Sequence, residues 1–203
     1  MSLISHQNVP FIYAVMSEKA RKYTAKGIHD HPLAVSLLLE IDGVRLLFIS
    51  IDVITLGGEK AAVIKDKIQK ILTIENDHII ISAIHTHSGA NGLDDMTVFG
   101  TPDNPEYFAY VCEQITDSIQ HLEQQLCEVQ AYITTGKVHG YYSKRTDKHL
   151  PFEDHAAIIT FIHGDTVVAA MCNFNCHATV LGVENMLVSS DLVGKVRSLM
   201  KED

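Results

Sequence analysis

Two consecutive apolar runs constrain the fold of this chain more than any other feature of its sequence. Residues 32–40 and 44–52 are apolar at nearly every position, and Asp42-Gly43 between them is typical of a tight hairpin turn. Strands that are apolar on both sides need to be covered on both sides. The sequence therefore predicts a β-hairpin inside a layered domain, with other elements packed against each face of its sheet.

Helical and extended patterns alternate along the rest of the chain. Five apolar residues fall at helical spacing and predict a first helix: Ala61, Ile64, Ile68, Ile71 and Leu72. Asn104-Pro105 provides the cap and the first-turn proline of a second helix, and a last helix starts near Asp191. Further strands are predicted at residues 78–84, 129–138, 156–162 and 167–175. This order predicts an α/β fold over residues 1–203, a single domain with a mixed β-sheet core flanked by helices.

Composition and charge exclude several classes of protein. The 203 residues are 46% hydrophobic and 20% charged, as in ordinary globular proteins, and the formal net charge is -9. This charge argues against a nucleic-acid partner, because phosphate backbones attract basic surfaces. We expect no membrane span, since no apolar run approaches about 20 residues. We also expect a cytoplasmic location, since the first residues lack the layout of a signal peptide.

A histidine motif follows the predicted strand at 78–84. His85 and His87 are separated by one residue and precede a glycine-containing turn. In an extended chain both side chains point to the same side, and strand ends are where α/β proteins place ligands. A lone histidine is more often a core or loop residue bonded to a carbonyl. Two converging imidazoles favour a divalent metal with nitrogen ligands, zinc above all.

A second motif, at residues 172–179, also ends a predicted strand. Cys172, Cys176 and His177 could form a zinc cage, but strand parity places the two cysteines on one face and His177 on the other. We therefore expect both cysteines to be reduced, buried apolar residues, and His177 to be the metal ligand. Asn175 is a candidate for orienting His177, because ligating histidines usually bond a fixed acceptor through their second nitrogen.

Two further stretches have ordinary structural explanations. Ser189-Ser190-Asp191 before an apolar stripe is typical of a helix start, so capping is the favoured role of Asp191. Support of a metal ligand by Asp191 is the alternative. Arg145 lies in a short basic stretch between strands, and by itself that stretch is typical of a solvated loop.

Together, these motifs resemble the neutral/alkaline non-lysosomal ceramidase family. The family hallmark Thr-His-Thr-His-Ser-Gly-Pro-Gly-Gly stands here as Ile-His-Thr-His-Ser-Gly-Ala-Asn-Gly at residues 84–92, with both histidines at the same spacing. A later family pattern, a histidine followed by Thr and then by Ser-x-Asp-x-x-Gly, matches His177, Thr179 and residues 189–194. Residues 27–33, Gly-Ile-His-Asp-His-Pro-Leu, are also similar to the family. The resemblance spans most of the chain and departs from the hallmark at Ala90 and Asn91.

The resemblance implies a zinc-dependent hydrolase that cleaves an amide bond in a small N-acyl substrate of lipid-like chemistry. It implies that His85 and His177 bind Zn²⁺, and that His87 and Arg145 assist catalysis at the substrate carbonyl or its tetrahedral intermediate. The family takes two more metal ligands, a Glu and a Tyr, from a more C-terminal segment. Residues 1–203 would then be the N-terminal portion of a ceramidase-like domain, and we expect a following segment to complete the site.

Two alternatives stay open at this point. The chain could be a catalytically inactive fragment or relative that keeps the fold and a partial metal site. A phosphoester-cleaving metal hydrolase fits less well, because such sites use metal pairs bridged by carboxylates. Neither histidine motif contains a carboxylate.

Overall fold

The hairpin predicted from the two apolar runs lies at the centre of the fold. The structure is a computed structural model that describes residues 25–94, 103–144, 147 and 149–202. The described strands and helices are, in chain order, β1 (Gly27–Ile28), β2 (Ala34–Ile41), β3 (Val44–Ile51), α1 (Gly58–Ile68), β4 (Ile79–Ala83), α2 (Pro105–Ile119), β5 (Gln130–Lys137), β6 (His155–His163), β7 (Thr166–Phe174), β8 (Leu187–Val188) and α3 (Asp191–Glu202). Asp42 and Gly43 join β2 to β3 with φ values of 51° and 78°, as a primed two-residue turn requires.

The first sheet is mixed and is covered by helices on one face. β2 pairs antiparallel with β3, and β3 pairs parallel with β4. Residues alternating along these strands form the main core with α1 and α2: Leu38, Leu47, Ile49, Ile51, Ile64, Ile68, Ile79, Val111, Ile115 and Ile119. Burying each of these side chains contributes about 1.5–3 kcal/mol. The predicted start of α2 is confirmed, since Asn104 Oδ1 accepts the Tyr107 N–H at 3.0 Å and Pro105 occupies the first turn.

A second sheet covers the other face of the first. β5, β6 and β7 form an antiparallel sheet. It meets the first sheet through a smaller core of Leu37, Leu39, Phe161 and Ala169. The layer order is therefore helices, mixed sheet, antiparallel sheet. The predicted α/β fold is confirmed, and the strands divide among three sheets, the third being the parallel pair β1 and β8.

The expectation that Cys172 and Cys176 are buried is wrong. Both thiols are reduced, but Cys172 is exposed and Cys176 is partly exposed. Cys172 pairs with Ile158, while the neighbouring residues Ile159 and Met171 face the first sheet. Cys172 therefore lies on the outer face of the second sheet, where it is exposed. Among the described residues, no helix has the length and apolar character that crossing a bilayer requires.

Candidate metal centre

His85 follows β4 in a conformation that few residues other than glycine adopt. Its φ is 60°, in the left-handed region, where a side chain costs about 1–2 kcal/mol. Its Nδ1 lies 2.6 Å from the Ile54 carbonyl oxygen. Because a carbonyl only accepts hydrogen bonds, Nδ1 carries the proton and Nε2 presents its lone pair. This is the arrangement in which ligating histidines are usually held.

Three imidazole rings converge beside this lone pair. His87 Nε2 lies 3.2 Å from His85 Nε2 and 2.9 Å from His177 Nε2. The ring centroids are 4.7 to 5.0 Å apart. Two nitrogens at about 2.0–2.1 Å from one tetrahedral zinc ion are about 3.3 Å apart. The donor types and their spacing therefore fit a single zinc ion, with His85 and His87 partly buried and His177 exposed.

The two histidine-bearing segments are joined through backbone and hydroxyl groups. The His87 N–H donates to the Ala178 carbonyl at 3.3 Å, directly beyond His177. The buried hydroxyl of Thr86 donates to the Ser189 carbonyl at 2.8 Å, and the Ser189 N–H donates to the Ser88 carbonyl at 3.0 Å. These bonds of Thr86 and Ser88, the residues next to the two histidines in the chain, anchor the motif inward, while the imidazoles face the site.

The segment before α3 carries more of the site's support than its sequence indicates. Asp52, which has no exposed surface, accepts hydrogen bonds from the Ser190 hydroxyl at 2.6 Å and the Leu33 N–H at 2.9 Å. Arg197 binds both oxygens of the same carboxylate. Local sequence patterns do not predict this pairing, which joins residues 145 positions apart. The available signal was the spacing of Arg197, which lies in α3 seven residues, or about two helical turns, after Ser190.

Asp30 binds the same segment from the other side. Burial would raise the pKa of its carboxyl. Hydrogen bonds from the Ser189 hydroxyl, the Ser190 N–H and His29 outweigh burial and hold that pKa below its usual value. Asp30 is therefore ionised at neutral pH, and its contribution to stability is lost only as the pH falls through this lowered pKa.

The remaining predicted site residues are placed as follows. Asp191 accepts the Leu192 N–H at 2.6 Å at the start of α3, and it also binds the segment after His177. Asn175 is exposed, and within the described part of the chain its side chain makes no hydrogen bond to His177, so its orienting role stays a prediction. Arg145 lies outside the described residues.

Cys176, next to His177, is disfavoured as a thiolate ligand. Burial, and secondarily the Asp191 charge, raise the pKa of its thiol.

A second group of possible ligands is less suited to a metal. Glu153, Asp154 and His155 are consecutive in the chain and offer ligand atoms close together. Glu153 and His155 are exposed, and the Lys137 ammonium already lies 3.5 Å from Asp154. A bound cation would have to displace this lysine, so the three-histidine cluster is the better candidate.

Gly89 allows the histidine motif to pack against the end of β3. A Cβ at this position would lie 2.7 Å from the Thr86 methyl group and 3.1 Å from the Asp52 carbonyl oxygen. We expect Gly89→Ala to lower the free energy of unfolding by about 1–3 kcal/mol, as overpacking does. Urea denaturation checks this, with Gly136→Ala as the control, because a Cβ there meets nothing within 4 Å. Equal stability of the two variants would contradict the close packing.

Comparison with known proteins places the fold. No protein-family model matches the chain, and no curated protein sequence matches it. The chain is similar to the structure of a ceramidase complexed with C2, with a TM-score of 0.78 and 18% identity over 94% of this chain and 32% of that chain. It is also similar to the neutral ceramidase from Pseudomonas aeruginosa, with a TM-score of 0.74 and 18% identity over the same shares. The resemblance drawn from the motifs is thus confirmed for the fold, and the chain spans about a third of the length of these structures.

Proposed function

We propose that this chain is the N-terminal portion of a zinc-dependent hydrolase that cleaves an amide bond, as a ceramidase does. The convergence of His85, His87 and His177 Nε2 atoms is the observation that carries the proposal. A cluster of imidazoles without a carboxylate, in which His85 and His177 are the proposed ligands, suits zinc better than magnesium or calcium, which prefer oxygen ligands. The fold of the chain, shared with part of two ceramidase structures, supports the same chemistry.

Each histidine has a distinct part in the proposed reaction. A zinc ion held by His85 and His177 would polarise the substrate carbonyl and lower the pKa of a bound water to about 7. His85 is fixed by its hydrogen bond to Ile54, so its Nε2 is already directed at the site. His87 lies between the other two rings, where an Nε2–H can donate to a carbonyl oxygen as negative charge develops on it. Arg145 is proposed to assist at the same oxygen.

The proposed substrate is a small N-acyl compound of lipid-like chemistry. The two structural neighbours are ceramidases, and this supports an amide with an acyl chain. The net charge of -9 disfavours a polyanionic substrate. The exposure of His177 on one side of the cluster leaves room for further protein groups and for a substrate.

We further propose that a C-terminal segment supplies the remaining metal ligands. A catalytic zinc site usually has three protein ligands and one open position, and His85 and His177 supply two. The alternative is an inactive relative that keeps a partial site. It is favoured by the departures at Ala90 and Asn91, which change the loop beside the histidines.

Zinc titration of the 203-residue chain, with amidase and phosphatase assays, tests this function. We expect one zinc ion with a Kd of about 1–200 µM. A complete four-ligand site provides about 10–16 kcal/mol, and half of that, about 5–8 kcal/mol, corresponds to this range. Little amidase activity should appear until a C-terminal segment is supplied. Glu153→Gln with His155→Ala is the control and should leave the titration unchanged. Tight stoichiometric binding with robust turnover would place the third ligand within these residues, and phosphatase activity would overturn the reaction class.

A further inference from the structure

Asp191 is buried at the start of α3 and has an unusual backbone conformation. Its φ is 54°, and only 6% of its surface is exposed. Glycine adopts this region without cost, whereas other residues keep it only where the surrounding structure requires it. Capping of α3 does not require it, since helix caps ordinarily have extended backbone dihedrals. The conformation therefore calls for another explanation.

The carboxylate of Asp191 binds the segment that carries His177. Its Oδ1 accepts the Val180 N–H at 3.2 Å, and its Oδ2 accepts the Leu181 N–H at 3.0 Å. Hydrogen bonds to an ionised acceptor are about twice as strong as neutral ones. Val180 and Leu181 lie three and four residues after His177, beyond the end of β7, where ladder hydrogen bonds no longer fix the chain.

Asp191 is in turn tied to the motif that carries His85 and His87. Its N–H donates to the Ser189 hydroxyl at 2.9 Å. The Ser189 carbonyl accepts the hydroxyl of Thr86, the residue between the two histidines, at 2.8 Å. A continuous path of hydrogen bonds thus runs from the His85–His87 motif through Ser189 and Asp191 to the segment after His177.

We infer that Asp191 is a positioning residue, which holds the His177 segment at the distance from His85 that a shared metal needs. The inference rests on the proposed zinc site and adds to it the group that sets its geometry. Without the carboxylate, the Val180 and Leu181 N–H groups lose this acceptor. The bond between the His87 N–H and the Ala178 carbonyl, at 3.3 Å, and the bond from the Asn185 side chain to the Ser88 hydroxyl, at 3.1 Å, remain. The spacing of the imidazoles then relaxes, and metal affinity falls while the fold persists.

The test compares Asp191→Gly with Asp42→Gly. Both substitutions remove an aspartate at nearly the same positive φ, 54° and 51°, but Asp42 lies in the β2–β3 turn. Both substitutions relieve the strain of a positive φ, but only Asp191→Gly removes the carboxylate that accepts the Val180 and Leu181 N–H groups. Asp191→Asn, which tolerates this φ and keeps one acceptor oxygen, is the conservative variant and the substitute if Asp191→Gly fails to fold.

Two readouts are made on the metal-free chain. The His85 and His177 ring centroids are 5.0 Å apart, so cross-relaxation between their ring protons is expected in the wild type. In Asp191→Gly this signal should be lost, and the amides of Val180 and Leu181 should exchange at least about tenfold faster, since local opening governs exchange. Asp42→Gly should match the wild type in both. These readouts need neither zinc nor turnover, so they decide the inference even if the proposed function fails.

The third readout is metal binding. Zinc affinity should fall by about 10–100-fold in Asp191→Gly, as for other groups that orient metal ligands, and the Co²⁺ visible spectrum should change. Asp191→Asn should recover part of the zinc affinity and part of the wild-type Co²⁺ spectrum. A merely capping role predicts a lower melting temperature with unchanged ring contacts, affinity and Co²⁺ spectrum. That result in Asp191→Gly would overturn the inference.

Discussion

His177→Ala should abolish zinc binding by this chain, whereas His87→Ala should leave the zinc content near that of the wild type. Losing a group that merely orients a ligand costs about 10–100-fold in affinity, and losing the ligand itself costs at least as much. In a longer form with measurable activity, His87→Ala should lower turnover by about 10²-fold, as does loss of one oxyanion donor. Elemental analysis and steady-state amidase kinetics measure both effects.

His163 provides the matched control for these variants. Its Nδ1 lies 2.7 Å from the Glu128 carbonyl oxygen, so it repeats the backbone bond of His85 away from the cluster. His163→Ala should change neither zinc content nor turnover. If His87→Ala loses zinc together with activity, His87 is a ligand, and the site is a three-imidazole cage, which the 2.9 and 3.2 Å spacings also allow.

Arg197→Met should destabilise the fold more than any substitution on the surface. It removes the cation bound to Asp52, which is wholly buried, and no other described residue forms an ion pair with that carboxylate. Breaking a buried pair in this way costs about 3–5 kcal/mol. For a chain of this size, that corresponds to a fall in Tm of roughly 6–20 °C. Urea denaturation and calorimetry measure the two quantities.

A double variant separates the buried charge from the packing of Arg197. Asp52→Asn combined with Arg197→Met removes both charges and should recover much of the lost stability. Arg45→Met is the control, because Arg45 binds Glu40 and Glu123 at the surface. Exposed pairs contribute only about 0–1 kcal/mol. Equal effects of Arg45→Met and Arg197→Met would contradict the stabilising role of the buried pair.

Several parts of the fold follow from short-range patterns in the sequence. The β2–β3 hairpin, the start of α2 at Pro105 and the start of α3 at Asp191 were predicted, because each depends on residues adjacent in the chain. Local alternation predicted that His85 and His87 lie on one side, but it does not explain their convergence, because His85 lies beyond β4 with a φ of 60°. The outer face of β7 was not predictable in this way. Its exposure depends on which elements reach it, and so the burial of Cys172 was wrongly expected.

The sequence by itself determined that histidines follow two strands, and so it provided the candidate donors His85, His87 and His177. The tertiary structure alone decided that His87 and His177, 90 residues apart, bring their nitrogens to 2.9 Å, and that Asp52 meets Arg197 across 145 residues. It also decided that the Asp191 carboxylate accepts hydrogen bonds from two backbone N–H groups, those of Val180 and Leu181, in the segment after His177. Periodicity reports only which face a side chain occupies within its own element. Distances between elements are set by how the layers pack, and that depends on the whole core at once.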